Sequence, residues 1–236
     1  MKYFAEQSRK FTDMGDLKVF HSIYPTTYPN EAIKWGQIVR FDDKTIMPGR
    51  QEIQNFIGIP MLIIRLIING SGAYYDSTGY RKILRERDTL VVGYDESTVQ
   101  SIFYNYDETQ EAELLEIWLM SKSNERIRLF DTLTETRDGN FNEASDAPSI
   151  GPDSILLQDG HWLRRSTFKR NSDHKIEGGI YDSIIVFVLS GTVIANSIRL
   201  GFRDGIMLSM NDTVDLYFEE DTDLLLIQLN ANMHVE

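Results

Sequence analysis

One stretch governs what this chain can fold into: residues 61–76, MLIIRLIINGSGAYYD, an apolar strand, a glycine pair and a second strand. The strand part occurs twice. IIRLIING at 63–70 aligns with IIVFVLSG at 184–191, DTLVV at 88–92 with DGIML at 204–208, and ELLEIWL at 113–119 with DLLLIQL at 223–229. Three blocks in one order indicate an internal duplication. The period exceeds that of solenoid repeats, so each copy is expected to be a domain with its own core.

Around these blocks, short runs rich in Ile, Val, Leu and Tyr alternate with turn signals such as Pro48-Gly49, Asn69-Gly70 and Asp76-Ser77-Thr78-Gly79. Strands at that spacing, with almost no helical periodicity, predict an all-β sandwich or barrel. The best helical candidate spans 125–133. Residues 1–30 carry scattered aromatics with Pro25 and Pro29, which suits an irregular arm. Residues 136–153 are polar and rich in Gly, Asn, Pro and Ser, the texture of a linker. The expected organisation is therefore a first domain at 1–135, including the arm, a linker at 136–153 and a second domain at 154–236.

Composition narrows the function classes. The 236 residues contain no cysteine, so thiolate nucleophiles, disulfides and zinc–thiolate sites are excluded. Apolar runs of six residues or fewer are too short for a spanning helix, and the N-terminal sequence has no apolar leader. No membrane association and a cytoplasmic location are the expectations. A formal charge of −12 repels a phosphate backbone, so nucleic acid is not an expected partner. The one basic cluster, Arg164, Arg165, Lys169 and Arg170, reads as a solvated strand edge. Asn69 and Asn211 match glycosylation acceptors but read as turn residues. No nucleophile elbow, P-loop or dinucleotide fingerprint is present, and the glycines of Asn69-Gly-Ser-Gly72 join two strands, which is no phosphate cradle.

The long strand ending in glycine, the DSTG turn at 76–79 and the LLEIWLM strand at 114–120 together resemble the first cupin of the pirin-like bicupins. The resemblance covers 33–120 well and 155–230 more loosely. It implies two cupin domains, jelly-roll β-barrels, in one chain. It also implies a metal site, since typical members carry a His-x-His pair before the long strand and a later His and Glu. Imidazoles two apart on an extended chain share a face, and a carboxylate completes a site with open positions. Some members cleave flavonols such as quercetin with dioxygen, and eukaryotic members are linked with transcriptional regulators. Counted back from Gly70, the resemblance puts the His-x-His pair on Phe56 and Gly58; aligned through Val99 and Asn105, it puts the later His and Glu on Ser101 and Phe103, so all four ligand positions are substituted. No metal, no cofactor and no catalytic residue are expected.

The histidines offer no replacement. His21 lies in the arm, His161 and His174 in the second half and His234 near the end, and no second imidazole stands near the His174–Glu177 pair. The acidic run Glu219, Glu220, Asp221 and Asp223 reads as a solvated turn without calcium-loop spacing. Carried through by strand parity, Phe56, Gly58, Pro60, Leu62, Ile64 and Leu66 share the inward face, and Arg65 points away. The barrel is then either a filled core, the preferred reading, or a small apolar pocket with Ser101 as a polar fixture. Function follows the same fork: a metal-free pirin-like bicupin that binds a small apolar ligand or a protein partner, or a quercetinase-like dioxygenase whose ligands lie elsewhere.

Overall fold

The computed structural model describes residues 2–23, 38–56, 60–94, 99–121, 128–132, 154–156, 161–176, 183–209 and 213–229. Among them the only helical element is a 3-10 turn at Glu6–Ser8. The first strands are β1 (Lys2–Phe4), β2 (Lys10–Asp13), β3 (Leu17–Ile23), β4 (Ile38–Ile46), β5 (Gln51–Phe56), β6 (Met61–Asn69) and β7 (Ser71–Asp76). Next come β8 (Arg81–Arg85), β9 (Asp88–Tyr94), β10 (Val99–Tyr104), β11 (Ala112–Met120) and β12 (Arg128–Thr132). The later part adds β13 (Ser154–Leu156), β14 (Trp162–Phe168), β15 (Asp173–Ile176), β16 (Ser183–Ser190) and β17 (Val193–Ala195). It ends with β18 (Ile198–Leu200), β19 (Gly205–Ser209), β20 (Val214–Phe218) and β21 (Thr222–Leu229).

The chain divides into two units, one of Arg9–Thr132 and one of Met1–Ser8 with Leu133–Glu236. In the first, a large sheet, β12-β9-β6-β11-β4-β3-β2, is paired with a small one, β5-β10-β7-β8. The second unit has β1-β19-β16-β21-β14-β13 and β15-β20-β17-β18. Side chains of both sheets interdigitate in each core: Ile63 and Leu114 with Tyr74 and Phe103 in one, Val186 and Leu226 with Phe218 in the other. Two antiparallel sheets closed over one core make each unit a jelly-roll barrel.

The expected duplication is visible strand by strand. β6 lies between β9 and β11 as β16 lies between β19 and β21, and the small sheets share one order. Each central strand is followed at once by a glycine of left-handed backbone, Gly70 at φ 76° and Gly191 at φ 84°. A Cβ on Gly70 would lie 2.6 Å from the Glu111 carbonyl oxygen, and one on Gly191 2.5 Å from that of Asp221. Both copies therefore need glycine for φ and for room.

Several local expectations are corrected. The arm is not irregular over 2–23, where β1, β2 and β3 form, and β1 pairs with β19. Its first eight residues group with the second unit instead of the first. Residues 128–132 of the helical candidate are a strand. Arg164 and Arg165 do not lie on a solvated edge: β14 is paired on both sides, and both residues are buried. Arg165 donates from Nε to Asp223 Oδ2 at 2.8 Å, which also removes Asp223 from the expected solvated turn. The expected linker, 136–153, lies outside the described residues.

Candidate functional site: the interior of the first barrel

β6 is apolar on both faces and buried on both, as its sequence requires. Its one charged residue breaks that pattern. Met61, Ile63 and Ile67 enter the core, and Arg65 lies on their side of the strand. Arg65 thus points into the barrel, contrary to the parity expectation. The reason is that Phe56 and Met61 belong to different sheets, β5 to the small and β6 to the large, so alternation is not carried from one to the other. Leu62, Ile64 and Leu66 occupy the opposite face.

Sheet register supplies the counter-charge. Glu116 is opposite Arg65 on one side and Asp42 on the other. Arg65 Nε donates to Glu116 Oε2 at 2.8 Å, and Arg65 Nη2 to Gln54 Oε1 at 2.7 Å and Ser101 Oγ at 3.3 Å. Glu116 Oε1 accepts from Lys44 Nζ at 2.7 Å, Gln54 Nε2 at 2.8 Å and Trp118 Nε1 at 2.8 Å. Lys44 Nζ also reaches Glu52 Oε1 at 2.6 Å. Two cations and two carboxylates balance one another with little or no access to water. Burying any one alone would cost several kcal/mol, roughly; the pairing and the hydrogen bonds offset that cost.

Aromatic rings close the rest of the space. The Arg65 guanidinium lies over Tyr74, 5.0 Å from its centroid, and Tyr74 and Tyr94 share a hydroxyl–hydroxyl bond of 2.5 Å. Phe56 stacks on Tyr94 at 4.5 Å and tilts against Trp118 at 5.1 Å, while Arg40 covers the outer side of Trp118 at 4.8 Å. Arg40 in turn pairs with Asp42, which holds His21 Nδ1 at 2.8 Å. His21 is therefore a buried strand residue, not part of an irregular arm.

Phe56, Ser101 and Phe103 all face this interior and are buried; Gly58 lies outside the described residues. Ser101 is the Arg65 acceptor, and the Phe103 ring fills the space where a Cβ on Gly72 would lie, 2.3 Å away. What sequence reasoning missed is the polar core beside them: Arg65, Glu116, Lys44, Gln54 and Glu52. The available signal is the single charge inside each of two apolar runs, IIRLII of β6 and LLEIWL of β11, which lie 51 residues apart.

Protonation is fixed by these neighbours. Burial pushes Glu116 up, but Lys44, Arg65 and Arg40 outweigh it and hold the carboxyl well below the usual range. Burial opposes the Arg65 charge, yet Glu116 and the tyrosines keep the guanidinium protonated. Burial, opposed by Arg65 and reinforced by Tyr94, holds the Tyr74 phenol up in its neutral form. Neither Glu116 nor Tyr74 is thus poised as a general base.

A metal does not fit the positions the resemblance assigns. Two of the three described positions carry phenyl rings without a donor lone pair, and the third, the Ser101 hydroxyl, already accepts from a guanidinium. A divalent ion 4 Å from that cation would be repelled by about 8 kcal/mol at an effective dielectric constant of about 20. Among the described residues, no group of three or more His, Asp or Glu converges as a metal site.

The second barrel differs at the equivalent strands. His174 on β15 faces Leu216, and its ring lies 5.4 Å from Phe168; burial, then Arg164, lowers its pKa to about 4. A groove of about 530 Å³ runs over the other side of that sheet, beside Lys175, Ile194, Asp215 and Tyr217. Glu177 and His234 lie outside the described residues.

No family model matches the chain, and no curated protein matches it. Solved structures do. The bacterial pirin YhhW from Escherichia coli, solved in complex with nickel(II), superposes with a TM-score of 0.81 at 14% identity, over 97% of this chain and 98% of that one. Quercetin 2,3-dioxygenase from Acinetobacter baumannii gives 0.69 at 16% identity, over 100% and 88%. Vicilin from Capsicum annuum gives 0.64 at 8% identity, over 98% and 86%. Proteins of such different names share one architecture, so likeness at these identities carries the fold and not the activity. With two duplicated jelly-roll barrels matched along nearly its whole length, this chain has the two-barrel fold of the bacterial pirin YhhW.

Proposed function

We propose that the chain is a metal-free bicupin with a binding or regulatory role. The observation that supports this reading is the Arg65–Glu116 network, which sits beside Ser101 where the resemblance expects a metal. It supplies a fixed cation and engages the side chains that would otherwise be available to a substrate. With Phe56, Tyr94 and Trp118 stacked across the interior, the first barrel reads as filled, which favours a partner on the outside over a small apolar ligand inside. Metal analysis after purification in iron-, nickel- or copper-supplemented medium tests this. The expected result is no stoichiometric transition metal; a metal ion retained by every chain would sink the proposal.

The fold likeness to a quercetin 2,3-dioxygenase favours a second reading, a flavonol dioxygenase whose ligands lie away from Phe56 and Ser101. That reading requires oxygen uptake with quercetin after metal loading, abolished by His174→Ala or His161→Ala. No uptake with any of the three metals counts against it.

A further inference from the structure

The duplication places two equivalent small-sheet outer faces in one chain, and they are built differently. On β5, β10, β7 and β8, one cross-strand row runs Ile53, Ile102, Tyr75, Arg81. The equivalent row on β15, β20, β17 and β18 runs Asp173, Tyr217, Ile194, Arg199. In the second barrel the face is conventional. It carries Asp173 and Asp215, and Arg199 pairs with Glu219 at 2.7 Å.

The first barrel's face has Ile53 half exposed at 50%, Ile83 at 58%, and Tyr75 and Ile102 partly exposed. Its charged residues are Arg81 and Arg85. Following the alternation through β5, β7, β8 and β10, no carboxylate falls on this side, because Glu52 and Asp76 point inward. Among the described residues neither arginine is ion-paired; Arg81 instead covers the Tyr75 ring at 5.7 Å. A face that combines exposed isoleucines with Gln51, Asn55, Gln100 and two arginines, and among the described strand residues carries no carboxylate, is anomalous on a chain of formal charge −12.

We infer that this face docks an extended, acidic–apolar peptide segment of a partner protein. Apolar side chains of the peptide would cover Ile53, Ile102 and Ile83, and its carboxylates would meet Arg81 and Arg85. Among the described residues β8 is the outer strand of its sheet, and although the Arg85 amide already donates to Asp88 Oδ2 at 2.8 Å, the edge beside Arg81 and Ile83 can take a short strand in addition. A second copy of the chain is the poorer occupant, since two bodies of charge −12 repel. The face lies outside the barrel, so its occupancy is independent of whether the interior holds a metal, and the two proposals fail separately.

The probe is a fluorescent peptide of alternating glutamate and valine, titrated into the whole chain by anisotropy, beside a lysine–valine peptide of the same length. Binding of the glutamate peptide alone is expected, weakening with salt and falling by roughly tenfold or more in Arg81→Glu/Arg85→Glu. Amide-shift mapping on the unmodified protein gives a readout that needs no variant, with changes expected on β8, β7 and β10. Absence of binding, equal binding of the lysine peptide, or shifts confined to other strands would overturn the inference. So would sedimentation as a dimer that Ile83→Glu dissociates, which assigns the face to a second copy.

Discussion

Glu116→Gln is the most informative single change, because it alters charge without altering shape. In the parent, all four hydrogen-bond partners of this carboxylate are donors: Lys44 Nζ, Gln54 Nε2 and Trp118 Nε1 on one oxygen and Arg65 Nε on the other. A glutamine keeps one oxygen but turns an NH2 group toward at least one of those donors. It also leaves Arg65 without a counter-ion in a fully buried position, while Lys44 retains Glu52. Removing one member of a buried pair costs about 3–5 kcal/mol. In a unit of this size that lowers the melting temperature by about 10–20 °C and the urea midpoint by about 2 M. The pH dependence has a definite sign. The folded pKa of Glu116 lies below its unfolded value, so its contribution is complete above the ordinary carboxylate range and is lost as pH falls below it. The variant should lack that part of the acid limb. Arg65→Met/Glu116→Leu removes both charges, leaves Lys44 with Glu52, and should recover stability to within about 1–2 kcal/mol of the parent. A loss below about 1 kcal/mol in Glu116→Gln, the size of an exposed pair, or a double variant worse than the single, would refute the reasoning.

Three further outcomes follow from local geometry. Gly191→Ala should destabilise by about 2–4 kcal/mol in chemical denaturation, since φ 84° is strained for alanine and its Cβ would meet the Asp221 carbonyl and Thr222. Gly72→Ala should cost about 1–3 kcal/mol by overpacking, and Phe103→Leu in the same chain should relieve part of it by vacating the ring position. His174 has a folded pKa near 4, below its ordinary 6.5, so the unfolded chain binds the extra proton between those values. Stability should fall as pH drops from 6.5 toward 4, by about 1–2 kcal/mol once screening at this partly open ring is allowed for. His174→Asn should flatten that slope in pH-dependent denaturation curves.

The fold was legible because its signals are local and come in repeated sets. Alternating apolar strands, glycines at 70 and 191 and the Asp76 turn each act within a few residues; in that turn, the Thr78 amide donates to Asp76 Oδ1 at 2.9 Å. The duplication was legible because blocks with the same sheet neighbours kept their order. The N-terminal strand was not, since β1 owes its form to β19, some two hundred residues later. The interior site was half legible. Phe56, Ser101 and Phe103 face inward, but parity does not carry across from β5 to β6. Strand parity carried across that crossing therefore puts Arg65 on the wrong face. Its partnership with Glu116 is a matter of sheet register, which no run of residues around either one encodes.

On the proposal made above, the first barrel is closed by its own charges and rings and takes no metal at Phe56, Ser101 and Phe103. Equilibrium dialysis of the metal-stripped chain against nickel(II), with the bound ion counted by elemental analysis, tests it most directly. No uptake above that of a non-binding control protein is expected, and no change in the Trp118 or tyrosine fluorescence of the first barrel. Saturable, stoichiometric uptake that quenches that fluorescence and is lost on changing Ser101 would contradict it.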